Sequence, residues 1–177
     1  MTNYICINGK KAELTEEQMR ALGIEMPKKP SPFERVVNNA NDFYSYYFIN
    51  SMGAVNEARD TGKFNGSGTD DLRYYAANYC TDEETLKQRA LHETLNRLLW
   101  RYSMEHDGDK IEWHSDPNQN RTKGFIYYNH IEKKFEVHTR WDCQFFGAVW
   151  FNTYEIAEAA IKEVVKPFMK AHPEFKW

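Results

Sequence analysis

The sequence predicts an α+β protein made of two tandem units, each an antiparallel β-meander followed by a long helix, with a small hairpin–helix appendage in front. Three observations predict it. Leu91, Leu95, Leu98 and Tyr102 recur at i, i+4, i+7 and i+11, a single helical stripe. Aromatic, β-prone runs precede that stripe and recur after it. The junction between the two kinds of pattern also repeats: residues 76–83 align without gaps on 148–155, matching Ala76 with Ala148, Thr81 with Thr153 and Glu83 with Glu155, and setting Tyr79 against Phe151. A meander of three strands is marginal alone and needs a helix across one face.

The elements follow in order. Tyr4-Ile5-Cys6-Ile7 reads as a strand, Asn8-Gly9 as a tight turn, and Lys10 to Leu14 as the return. Thr15 caps a helix, with Gln18 completing a capping box and Gly23 ending it. Residues 1–24 form the appendage. Residues 25–35 read as an extended linker, because Pro27, Pro30 and Pro32 lack amide donors and Lys28-Lys29 keep the segment solvated. The first unit spans 36–108. It has strands from Phe43 to Ile49, from Ala54 onward and from Leu72 to Tyr79, a glycine-rich loop over 60–71, and a helix capped by Thr81 with Glu84 at its third position. Leu99 and Trp100 widen the apolar stripe, which is expected against the first meander. The second unit spans 109–177. Its strands run from Gly124 to Tyr128, Phe135 to Trp141 and Phe145 to Phe151. Thr153 then caps a helix carrying Ile156, Ala160 and Val164, and Pro167 kinks or ends it.

Composition narrows the function. The chain has 177 residues, 28% charged and 15% aromatic, with no run apolar enough to span a bilayer. The N-terminus carries no basic-then-apolar leader, and Cys6, Cys80 and Cys143 are odd in number and far apart. A cytoplasmic location with free thiols is therefore expected. Net charge is −3, which excludes a generally basic nucleic-acid binder. The charge is uneven: residues 82–116 hold nine acids and five bases, whereas 117–141 hold five bases and two acids.

Two regions could carry binding. The acids Glu83, Glu84, Glu93 and Glu105 mark a candidate protein-contacting helix. Arg121, Lys123, Lys133, Lys134, Arg140 and Trp141 share one hairpin with Phe125, Tyr127 and Tyr128, and bases interleaved with aromatics are how an open sheet holds single-stranded nucleic acid. The competing reading packs alternate aromatics beneath the helices and leaves the bases in solvent. A third possibility, a small hydrolase or metal enzyme, rests on His106, Asp107, Asp109 and His114, a pattern that a polar turn also explains. No zinc, calcium or phosphate-loop spacing is present, so no metal, cofactor or catalytic constellation is expected.

The order of landmarks resembles a known group. Ile7-Asn8-Gly9-Lys10-Lys11, Leu14 to Gln18, Leu22-Gly23, Pro32 to Val36, Tyr46 to Ile49 and Leu95-Asn96-Arg97-Leu98-Leu99-Trp100-Arg101-Tyr102-Ser103 are similar to small accessory proteins of phages and prophages in Gram-positive gut bacteria. That group includes anti-CRISPR proteins. The resemblance implies a nonenzymatic inhibitor that binds a type II CRISPR nuclease with its guide RNA, in the cytoplasm of the bacterial host. It carries over no catalytic residues. An acidic surface suits such a role, because the nuclease channel recognises a charged backbone rather than a base sequence. A net charge of −3 is weak for mimicry alone, so shape-specific protein contacts are expected as well.

Overall fold

A computed structural model describes residues 4–7, 10–23, 31–35, 44–60, 68–114, 116 and 121–177. The Asn8-Gly9 turn, the linker over 24–30, Phe43, the glycine-rich loop over 61–67 and the side chain of Cys6 lie outside the described residues. The fold class is α+β. No described helix is long and apolar enough to cross a membrane.

β1 (Tyr4–Ile7) and β2 (Lys10–Glu13) pair antiparallel, with Tyr4 opposite Glu13. α1 (Glu16–Ala21) starts on the expected capping box: Gln18 N donates to the Thr15 hydroxyl, and Thr15 N donates to the Gln18 side chain. Gly23 follows at φ +67°, where a side chain would strain the backbone.

β3 (Tyr44–Ile49) and β4 (Val55–Asp60) form an antiparallel hairpin closed at Asn50, whose side-chain oxygen accepts from the amides of Met52 and Ala54. The strand expected over Leu72–Tyr79 is instead a helix, α2 (Thr69–Tyr75). Tyr74 and Tyr75 have strand propensity, but Asp70 and Asp71 occupy a first helical turn, where the dipole favours carboxylates. Asp71 also accepts from Gly68 N and from Arg35. Ala77, at φ +52°, ends the helix. Cys80 then meets β3 in a single bridge, exchanging both backbone hydrogen bonds with Tyr47 at 2.7 and 3.0 Å.

α3 (Glu83–Glu105) is capped by Asp82, which accepts from Thr85 N at 2.8 Å. Thr81, the expected cap, instead donates from its amide and hydroxyl to Pro32 O. The apolar stripe is real, but its partner is not the first sheet. Only Leu86 and Ala90 join Ile49 and Cys80, while Leu95, Leu99 and Tyr102 are buried with Phe151, Ala157, Ala160, Val165, Phe168 and Phe175. Leu91 and Leu98 pack against that second cluster, and Trp100 is exposed. One helix therefore serves two of the three described sheets.

β5 (Lys123–Asn129) and β6 (Lys134–Arg140) make the third hairpin. The expected third strand over Phe145–Phe151 shrinks to β7 (Trp150–Phe151), because a turn from Phe145 O to Ala148 N, with Gly147 at φ +78°, breaks it. The strand order is β6-β5-β7, so β7 lies on β5 rather than continuing a meander. The two halves nevertheless share one plan. In each, the first strand of a hairpin pairs with a residue two positions before a helix cap: Cys80 before Asp82, and Phe151 before Thr153.

Thr153 caps the last helix, accepting from Ile156 N. The helix runs as α4 (Tyr154–Ala160), a π turn (Ile161–Val165) and α5 (Lys166–Ala171). The widened turn lies directly before Pro167, whose ring conflicts with the carbonyl four residues back, so the proline is absorbed without stopping the helix. The C-terminal tail closes over the core. Gln88 donates to Glu174 O and accepts from Lys176 N, both at 2.9 Å, and Trp177 packs edge-on to Phe135.

Candidate binding face on the second sheet

The pleat of β5 and β6 sorts their side chains onto two faces. Gly124, Ile126, Tyr128, Phe135, Val137 and Thr139 share the inner face with Phe151. α4 sits so close there that a side chain on Gly124 would come within 2.9 Å of Thr153 O and 3.0 Å of Ala157 Cβ. Lys123, Phe125, Tyr127, Glu136, His138, Arg140 and Trp150 therefore point the other way.

This outer face is aromatic. Phe125 lies 5.7 Å from His138 in a near-parallel stack, 5.0 Å from Trp150 and 5.2 Å from Phe145. Trp113, from the segment before β5, meets Trp150 edge-on at 5.1 Å, and Phe145 stacks on Trp150. Trp113, Phe125, Tyr127 and Trp150 are half-buried, and His138 and Phe145 are exposed. The Trp150 indole nitrogen is buried with no hydrogen-bond partner among the described residues.

Charge borders this face. Tyr127 donates its hydroxyl to Glu136, which also accepts from Asn129 at 3.1 Å and pairs with Lys134 at 3.0 Å. These contacts, led by the phenol, pull the Glu136 carboxyl down to about 2, and the same cluster raises Lys134. Arg121, Lys133, Arg140 and Trp141 are exposed, with Lys133 in the hairpin turn at φ +52°. Lys123 corrects the expectation of a surface base. It is 3% exposed, its ammonium 4.5 Å from the centre of the Trp113 ring, and burial pushes its pKa down.

The carboxylates singled out on α3 do not form one surface. Glu83 pairs with Lys87 at 2.8 Å, Glu93 with Arg89 at 2.8 Å, and Glu105 approaches Arg101 at 4.0 Å. Glu84 accepts from Gln88. At about 100° per residue, Glu84 and Glu93 lie on opposite sides of the helix, and Glu83 and Glu105 are about 33 Å apart along it. The helix holds four acids and four bases, so the acidity of residues 82–116 comes from its flanks.

The residues of the enzyme reading are spread out. The His106 ring stacks on Tyr102, Asp107 pairs with Lys110, and His114 lies 3.2 Å from Glu112. Among the described residues no group of three or more His, Cys, Asp or Glu side chains converges as metal ligands would. Sequence reasoning missed Trp113, His138, Phe145 and Trp150 as members of the aromatic face. The alternation of Lys123, Phe125 and Tyr127 was the available signal, but which parity faces outward depends on the helix that covers the other.

The fold and site define an α+β protein with an aromatic, base-bordered sheet face. No protein family, no curated protein and no solved structure matches the chain.

Proposed function

We propose that the chain is a nonenzymatic binding module that holds a single strand of nucleic acid on the outer face of its second sheet. The observation that carries this reading is the run of rings Trp113, Trp150, Phe125 and His138 on the face opposite the helices, bordered by Arg121, Lys134 and Arg140. Every base has a π face, and stacking on an aromatic side chain contributes about 1–3 kcal/mol per base without regard to sequence. The local excess of bases over 117–141 supplies attraction that the whole-chain charge of −3 does not.

The test is fluorescence anisotropy with a labelled oligodeoxythymidine and the full chain. Saturable binding at a fixed ratio is expected, weakening with salt by a log–log slope of about −0.7 per phosphate contacted. Phe125→Ala should weaken binding about tenfold, which corresponds to one lost stacking contact. Wild-type affinity in Phe125→Ala would refute the platform.

The resemblance to phage accessory proteins supports a second reading, stoichiometric inhibition of a guide-loaded type II CRISPR nuclease in a bacterial cytoplasm. One observation favours it: Trp141, Phe145, Phe146 and Tyr154 are large, exposed apolar residues, the residue types that anchor protein interfaces. No oligonucleotide binding, together with capture of the nuclease at a fixed ratio that charge reversal at Glu83 and Glu84 weakens, would establish this reading in place of the first.

A further inference from the structure

We infer that the open edge of β6 is a self-association surface: two copies of the chain pair β6 to β6, antiparallel, about a two-fold axis through His138, and Trp141 of each copy seats in an apolar groove of the other. The inference goes beyond both readings of function above and rests on neither.

β6 is an edge strand. The order β6-β5-β7 leaves one side of it unpaired, and such an edge presents a row of N–H and C=O groups to whatever strand can reach them. Among the described residues, the only hydrogen bond to its backbone from outside the ladder is local: Thr139 O lies 2.9 Å from His138 Nδ1. The strand is 7 residues long, pairs with β5 in unbroken register, and contains neither proline nor glycine. Its guards are the charges Lys134, Glu136 and Arg140. Charges exclude some partners and select others.

These charges select a second copy in one register. Antiparallel pairing about Glu136 sets that carboxylate against its own counterpart. Pairing about Val137 sets Lys134 against the partner's Arg140. Pairing about His138 instead sets Glu136 against the partner's Arg140 at both ends, with Val137 opposite the partner's Thr139 on the other face. Arg140 is exposed and has no ion-pair partner among the described residues, so it is available for this contact.

A groove between β6 and the last helix supplies the rest of the interface. It measures about 360 Å³ and is lined by Phe135 and Ile161 together with Lys134, Glu158, Lys162 and Lys166. Trp141 follows β6 directly and is 44% exposed. In the register about His138, position 141 falls opposite the partner's Phe135, beside that groove. An indole suits an apolar floor flanked by ammonium groups, because its face attracts cations. The same two-fold joins β7-β5-β6 to the partner's β6-β5-β7 and keeps both aromatic faces on one side.

The experiment is sedimentation velocity on the full chain, without nucleic acid, from low to high micromolar concentration. A reversible monomer–dimer equilibrium is expected, since one strand pair and two side chains make a small, transient interface. Arg140→Glu sets like charges together twice and should weaken dimerisation about tenfold. Glu136→Arg should do the same, whereas an equimolar mixture of the two variants restores both pairs and should form a heterodimer close to wild-type affinity. Trp141→Ala should also weaken the dimer about tenfold. Glu136→Arg loses the contact with Tyr127 as well, so if circular dichroism shows it misfolded, His138→Cys decides the register. Opposed residues of an antiparallel pair lie about 4.5–5.5 Å apart at Cα, within disulfide reach, and mild oxidation should cross-link this variant into a dimer. Wild type, whose Cys143 lies off the axis, should stay uncross-linked. A monomer at every concentration overturns the inference. So does a dimer that keeps wild-type affinity in Arg140→Glu, or one that fails to cross-link through His138→Cys. Wild-type affinity in Trp141→Ala overturns the groove contact. The aromatic platform is judged separately, by Phe125→Ala and oligodeoxythymidine, so either proposal can fail without the other.

Discussion

Glu136 shows how one residue's surroundings set its chemistry. Tyr127, Lys134 and Asn129 all address its carboxylate and hold its pKa at about 2, below the ordinary value of about 4.5. A depressed carboxyl pKa means that the folded state favours the ionised form. The stabilisation is thus complete above the ordinary value and is lost as pH falls from about 4.5 toward about 2. Thermal melts across that window should show wild type losing stability faster than Glu136→Gln, and NMR titration should place the Glu136 midpoint near the lower end. Parallel pH profiles for the two proteins would show that the cluster is not coupled to folding. Lys123 teaches the complementary lesson. It is a base in the sequence and a buried, ring-packed group in the fold.

At the level of elements, α3 links the two sheets. Its first two turns lean on β3 and β4, and the remainder builds the larger core with β7 and the last helix. Leu95 is 1% exposed at the centre of that contact. Leu95→Ala should cost about 2–5 kcal/mol in denaturant unfolding, the range for a buried leucine replaced by a cavity. Trp100→Ser, on the exposed side of the same helix, should change stability by about 0.5 kcal/mol or less. Equal losses from the two would mean that the stripe does not face the core. The periodicity of this helix was legible because it is a local property of the chain. Which sheet it covers was not, since that depends on residues some 60 positions away, such as Ala157 and Phe168.

Across the whole molecule, the described end of the expected linker is part of the body. Arg35 donates from Nε and Nη2 to the Asp60 carboxylate at 2.6 and 2.9 Å, and from Nη1 to Asp71. All three side chains are nearly fully buried. Pro32 O receives both donors of Thr81. A chain beginning at residue 31 should keep this network and melt close to the full chain. One beginning at residue 36 leaves two buried carboxylates without Arg35 and should lose about 3–5 kcal/mol. Identical melting midpoints for the two truncations would show that the network does not stabilise the body. Arg35 sits among prolines in the sequence, and nothing local marks it for burial. Its partners lie 25 and 36 residues ahead.

By itself the sequence determined what short-range physics can decide. The Thr15 and Thr153 caps, the hairpins and the apolar stripe of α3 depend on backbone geometry and on side chains within one or two turns. Tertiary structure decided the rest. It tied the 69–75 helix to Arg35 through Asp71, set β7 on β5 rather than on β6, and buried Lys123 against Trp113. It also chose which parity of β5 faces outward, because α4 presses on Gly124 and leaves Phe125 to the other side. Each of these outcomes turns on partners distant in the chain, and an alternating strand reads the same from either face until a helix covers one of them.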